Sequence, residues 1–351
     1  MSARLYLDHA ATTPVLSEAR EAMAEALEHW ANPSSPHADG RAARAALERF
    51  RADIADALDW RHDVILTSGA TEAISIAASR AALPGRVSGA TEHDAVVAAM
   101  GAGATVLPVD ENGLVDIGAI DGQALIAVQQ VNNETGIIQP LDEIGERVTA
   151  AGSLLLADCA QGAGKLPLPD ADFIAVSAHK LGGPPGIGAL LVKDLSTLSA
   201  SGGQERGYRR GTENLPAAAG FAAALRSRAF ARELARLTTL RNKLEETIVS
   251  EGGIVVASNG PRSPFIGAYA MPGTASAAQL VQLDLAGISV SAGSACSSGS
   301  MKPSHVHQSM GLAPEISGAT IRVSFGPDTG DGDIDRFLAE WRRIASRAKA
   351  A

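Results

Sequence analysis

Read for the spacing of its hydrophobic positions, the chain changes character several times. Residues 16–30 and 41–58 repeat apolar positions every three or four residues among Ala, Glu and Arg, the pattern of amphipathic helices. Short, almost wholly apolar runs follow at 64–66, 124–128, 153–157, 173–176 and 189–192, each closed by a turn signal, and the helical period returns between them at 71–82 and 144–150. Runs with no polar face fit strands covered on both sides, and their alternation with helices predicts an α/β fold with a mainly parallel sheet. From 215 to 248 the pattern is one long helix, closed by a glycine stop at Glu251-Gly252-Gly253. Beyond it, strands at 254–256, 265–270, 288–290 and 320–326 and a helix at 275–284 predict a smaller α+β unit. The long helix is expected to bridge the two units, with the first dozen residues at their interface.

Polar residues gather where the apolar runs stop, and ligands of parallel sheets sit beyond the carboxyl ends of the strands. Thr67-Ser68-Gly69-Ala70-Thr71-Glu72 lies between a strand and a helix, where free N–H groups and the helix dipole suit a phosphate; a plain capping box with Ser68 as N-cap is the other reading. No Gly-x-Gly-x-x-Gly follows the first strand, which argues against a dinucleotide. Glu92-His93-Asp94 opens a helix, so His93 is either a cap or an imidazole stacked on a cofactor ring. In Asp158-Cys159, period two sends the neighbours to opposite faces: Asp158 suits a pyridine nitrogen, Cys159 a buried packing site. Ser177-Ala178-His179-Lys180, followed by a glycine-rich turn, holds an amine that could carry a cofactor aldehyde as a Schiff base; a solvated surface lysine is the alternative. Cys296 lies in a run of small residues where a thiol can serve as a nucleophile, although tight packing among small residues also suits a cysteine. Arg322, between Ile321 and Val323 on a strand, is read as an inward arginine seeking a carboxylate, against a solvated edge position. His305 and His307 suit a solvated loop, with proton transfer or metal capture as the alternative.

Composition narrows the partners. With 30 basic and 39 acidic residues the net charge is −9, which argues against binding nucleic acid or an anionic membrane through the overall field. The start of the chain reaches Asp8 before any signal-like apolar stretch, and two cysteines suit a reducing compartment, so the expected location is the cytoplasm.

Taken together, these motifs resemble the cysteine desulfurases of the class V aminotransferase group of pyridoxal phosphate (PLP) enzymes. The resemblance runs from Leu5-Tyr6-Leu7-Asp8-His9-Ala10-Ala11-Thr12-Thr13-Pro14 and Asn32-Pro33-Ser34-Ser35-Pro36-His37, through Val131-Asn132-Asn133-Glu134-Thr135-Gly136 and Ser177 to Lys180, to Arg210-Gly211-Thr212-Glu213-Asn214 and the Cys296 segment. It implies the aspartate aminotransferase-like PLP-transferase fold, with a large cofactor domain over 12–232 and a small domain of 1–11 and 233–351 carrying the cysteine loop. It further implies that Lys180 bears the cofactor, Asp158 faces the ring nitrogen, Gln161 the phenolic oxygen and His93 the ring face. Ala70, Thr71, Ser177 and His179 would hold the phosphate, with Thr212 reaching in from the other subunit of a homodimer. Asn133 and Arg322 would bind the carboxylate of L-cysteine, and Cys296 would take its sulfur as a persulfide for an acceptor such as an iron–sulfur scaffold. The length of the segment after Cys296 resembles the housekeeping and nitrogen-fixation type. A selenocysteine lyase or another class V transaminase would use the same lysine, aspartate and arginine. Ser75 stands where the family usually has Asn, and Leu156-Ala157-Asp158-Cys159 replaces a commoner His-Val-Asp-Ala.

Overall fold

The computed structural model describes residues 4–28, 31–293 and 303–350. The expectations for residues 29–30 and for Cys296 therefore lie outside the described residues. The chain opens with a short strand, β1 (Leu5–Tyr6), and two helices, α1 (Ser17–Leu27) and α2 (Ala38–Ala57). The alternating stretch that follows is β2 (Asp63–Thr67), α3 (Ala70–Arg80), β3 (Arg86–Gly89), α4 (Asp94–Met100), β4 (Thr105–Leu107), β5 (Leu125–Gln129), α5 (Leu141–Ala150), β6 (Leu154–Asp158), β7 (Phe173–Ser177) and β8 (Gly188–Val192).

These strands form one seven-stranded sheet in the order β2-β8-β7-β6-β5-β3-β4. Because side chains alternate along a strand, each strand feeds two cores. Val64, Leu66, Ile126, Val128, Ile174 and Val176 pack on one face with Ile54 of α2 and Ile144 of α5. Ile65, Leu125, Ala127, Leu156 and Phe173 pack on the other with Ile74 of α3 and Val96 of α4. This two-sided burial is what made the runs read as wholly apolar. The sheet is mainly parallel, as expected, except that β8 runs antiparallel to both β2 and β7. The reason is the connection: residues 178–187 leave no room for a crossover helix, so β7 and β8 can only close as a hairpin.

The expected single helix over 215–248 is two helices, α6 (Leu215–Ser227) and α7 (Leu234–Ser250). Arg228 takes a left-handed conformation (φ 52°) that ends α6. The break serves packing: Phe221 of α6 joins the core of the large sheet, whereas Leu237, Leu240 and Leu244 of α7 join a separate cluster. That second cluster includes side chains of β10 (Ile266–Ala270), after the short β9 (Ile254–Val255), and of β12 (Thr320–Ser324), which pair in the order β12-β10-β9. Between β10 and β12 come α8 (Ser276–Leu285), β11 (Ile288–Ser289), α9 (His305–Ser309) and α10 (Pro314–Ser317), and α11 (Asp331–Ala350) closes the fold with Phe337 and Trp341 in the same cluster. The N-terminal segment touches both parts: β1 pairs with β11, Asp8 bridges to Ser324, and the Thr13 N–H donates to the His179 carbonyl (2.9 Å). Among the described residues no helix is long and apolar enough to cross a membrane.

Candidate active site

Five strands of the large sheet deliver their C-terminal turns to one cavity that opens to solvent. At the end of β2, Gly69 adopts φ +153° and starts α3 without a side-chain cap. A Cβ on Gly188, across the turn, would lie 2.7 Å from the Gly69 Cα, so backbone alone fits there. Ser68 is not the N-cap of α3. Instead Glu72 reaches back, its Oε2 accepting the Ser68 N–H at 2.5 Å while its carboxylate also takes Arg209. The N–H groups of Ala70 and Thr71, first in α3, are thus left to the cavity that both residues line.

The turn after β3 supplies His93, which is cap and cavity wall at once. Its Nδ1 accepts the Ala95 N–H (3.1 Å), which leaves Nε2 as the ring's N–H when the imidazole is neutral. After β5, Asn132 builds the turn: its Oδ1 accepts from the N–H groups of Glu134 (2.9 Å) and Thr135 (2.8 Å), and its Nδ2 donates to the Thr91 carbonyl. Asn133 is thereby the member of the pair that lines the cavity.

Asp158 ends β6 inside the cavity, and its Oδ1 accepts the Ala160 N–H (2.9 Å). Burial raises its pKa, opposed by that hydrogen bond and by the nearby His93 and Lys180. Cys159 points the other way into the core, as alternation predicted, and burial pushes its thiol pKa well up. Past β7, a single turn of 3₁₀ helix carries His179 and Lys180. The Lys180 Nζ donates to the Ala10 carbonyl at 2.6 Å, and the Gln161 Nε2 donates to the same oxygen at 2.8 Å. The buried Gln161 Oε1 has no protein partner among the described residues. Burial, followed by the charges of Lys180 and Lys165, lowers the His179 pKa to about 4, so its ring is neutral at pH 7.

Ala70, Thr71, His93, Asn133, Asp158, Gln161, Ser177, His179 and Lys180 therefore meet in one place. Arg322 stands just behind it, on the edge strand β12 beside β10 yet almost fully buried, so the solvated alternative does not hold. It donates through Nη1 to the Asn133 carbonyl (3.0 Å) and through Nη2 to Asp8 (2.8 Å). Thr212 is exposed and does not line this chain's own cavity. His305 and His307 are not in a solvated loop: both sit on α9, His305 Nε2 lies 2.9 Å from the Glu92 carbonyl, and His307 is buried. Among the described residues no cluster could hold a metal ion.

Reasoning from sequence gave no role to Asp8 or Ala10, although the N-terminal motif containing them was evident, because their partners lie more than 150 residues away. It also passed over Lys165, a buried lysine whose Nζ sits 4.4 Å from the centre of the Phe230 ring and 4.7 Å from that of Phe265.

The sequence of residues 5–337 matches the family description "Aminotransferase class-V", and the chain belongs to that family. It is 37% identical over 386 residues to a protein of Mycobacterium tuberculosis named IscS-like cysteine desulfurase, covering 99% of this chain and 97% of the relative. Among solved structures it is similar to a NifS-like protein (TM-score 0.89, 28% identity, covering 98% of this chain and 99% of the other). It is also similar to a structure titled SspA in complex with cysteine (TM-score 0.78, 26% identity, 92% and 99% covered).

Proposed function

We propose that the protein is a PLP-dependent cysteine desulfurase, converting L-cysteine to L-alanine and holding the sulfur as a persulfide on Cys296. The observation that carries this reading is the convergence of Lys180, Asp158, His93 and the uncapped start of α3 on one cavity at the strand ends. The names of its full-length relatives supply the reaction.

Two features fit the cofactor. The free N–H groups at the start of α3, beside the hydroxyls of Thr71 and Ser177, suit a phosphate. The unpartnered Gln161 Oε1 suits a ring hydroxyl. When bound, pyridoxal phosphate supplies an electron sink for negative charge developing at the substrate α-carbon. Lys180 would hold its aldehyde and, once displaced by substrate, move the α-proton. Asp158 would keep a proton on the ring nitrogen and His93 would cover the ring. Thr71, Ser177 and His179 would bind the phosphate, with Thr212 from the partner of a homodimer. Asn133 and Arg322 would receive the substrate carboxylate.

The reaction balances without an external oxidant. The substrate C–S bond breaks, a sulfur–sulfur bond forms to Cys296, and the proton balance leaves alanine and a persulfide. An acceptor such as an iron–sulfur scaffold protein would then take the sulfur. The same reading divides the chain into a cofactor part, 12–232, and a part made of 1–11 and 233–351, supported by one core drawn wholly from the first and a second drawn mostly from the other, with Val131 and Phe230 crossing over. It places the protein in the cytoplasm, where its two cysteines stay reduced.

The test compares cofactor-loaded wild type with Cys296→Ser. Wild type is expected to yield alanine from L-cysteine with a thiol reductant present, and Cys296→Ser is expected to lose alanine formation while still changing the cofactor absorbance on adding substrate. A Cys296→Ser enzyme with undiminished turnover would point to the transaminase alternative.

A further inference from the structure

The guanidinium of Arg322 is almost completely buried, and a charge taken from water needs a counter-charge. In this structure that counter-charge is internal. Asp8 Oδ1 lies 2.8 Å from Nη2, the Asn133 carbonyl takes Nη1, and the buried Nε has no partner among the described residues. Asp8 itself keeps a side chain about one-fifth exposed, so it can turn toward solvent. Its placement follows from the segment around it: β1 pairs with β11, the Ala10 N–H donates to Ser324 Oγ (2.9 Å), and the Ala10 carbonyl receives Lys180 and Gln161. The N-terminal segment thus binds the amine at one residue and the arginine two residues earlier.

We propose that Asp8 is a specificity-determining residue, a stand-in carboxylate that holds Arg322 until the substrate carboxylate competes for it. The inference rests on reading Arg322 as the substrate-carboxylate site. Two carboxylates on one buried guanidinium repel each other, so binding of an α-carboxylate loosens the Asp8 contact. Asp8 has two effects: it keeps Arg322 extended and aimed beside Asn133, and it sets a threshold that only an anionic group overcomes. A carboxylate-free thiol amine makes no such exchange.

The test measures binding to cofactor-loaded enzyme by the change in cofactor absorbance, with L-cysteine and with cysteamine, which lacks the carboxylate. In Asp8→Asn the apparent affinity for L-cysteine is expected to tighten about three- to tenfold, with KM falling more than kcat changes, while cysteamine stays within about twofold of wild type. Asp8→Glu, which keeps the charge, is expected to restore wild-type values, and Asp8→Ser carries the same prediction as Asp8→Asn if that variant does not retain cofactor. Weaker or unchanged L-cysteine binding in both neutral variants, or equal effects on both ligands, overturns the proposal. Arg322→Gln separates the two readings. It is expected to weaken L-cysteine and spare cysteamine; if it changes neither, the carboxylate role of Arg322 fails, and the proposal with it.

Discussion

Lys165 shows how one buried charge shapes its surroundings. Its amine lies over the rings of Phe230 and Phe265, and burial, then repulsion from Lys180, lowers its pKa to about 7. Its charge in turn helps burial hold His9 at about 4, and it adds to burial and Lys180 in lowering His179. An amine that titrates near 7 when folded and at 10.5 when unfolded binds fewer protons in the fold between those values, so stability rises with pH across that window. Below the folded value the penalty is fully present. The His9 and His179 contributions have the same sign but lie lower, between about 4 and 6.5. Lys165→Met is therefore expected to raise stability at pH 6 by on the order of a few kcal/mol and to flatten the rise from pH 7 to 10, as read by denaturant unfolding at each pH. An unchanged pH profile would mean that Lys165 is solvated. At this scale the sequence was informative where local alternation decides, as at Asp158 and Cys159, and silent on Lys165, because nothing nearby in the chain marks it as buried.

Among the elements, the segment before Thr212 is held most deliberately. Glu205 and Arg206 both take left-handed backbone conformations (φ 48° and 55°), which residues with a Cβ adopt at a cost. What holds them is a buried ion pair: Glu205 receives Arg51 of α2 through both its oxygens (2.5 and 3.0 Å) and also accepts the Leu66 N–H of β2. Removing one partner leaves the other charge buried. Arg51→Met is thus expected to destabilise the protein by about 3–5 kcal/mol, seen as a lower urea midpoint. A loss below about 1 kcal/mol would show that the pair is well hydrated. Helices and strands of the large sheet were legible because their apolar period is strong. The break at Arg228 was not, since a non-glycine residue in a left-handed turn leaves no mark in the sequence, and a run of apolar spacing crosses it. The reversed β8 was recoverable from connection length alone, which the pattern of apolar runs does not report.

At the scale of the whole molecule, the site joins distant parts of the chain. The contact of Asp8 with Arg322 spans 314 residues and that of Lys180 with Ala10 spans 170, so no local signal could reveal either. The cavity itself was legible, because its walls are strand ends whose polar residues interrupt apolar runs. Thr212, exposed on its own chain, belongs to the proposed homodimer and can be tested by mixing subunits. Thr212→Ala is expected to weaken cofactor retention, and Lys180→Ala to abolish turnover. Mixed dimers of the two would regain one intact site per dimer, since the lysine of one chain meets the threonine of the other. No recovery on mixing would place Thr212 outside the partner's site. The central claim is that sulfur leaves the substrate for Cys296. The most direct measurement is a single turnover with L-cysteine, without reductant or acceptor, followed by the mass of the Cys296 peptide and the amount of alanine. The account predicts one added sulfur on that peptide and an equal amount of alanine; alanine formed with Cys296 unmodified, or no alanine from cofactor-loaded enzyme, would contradict it.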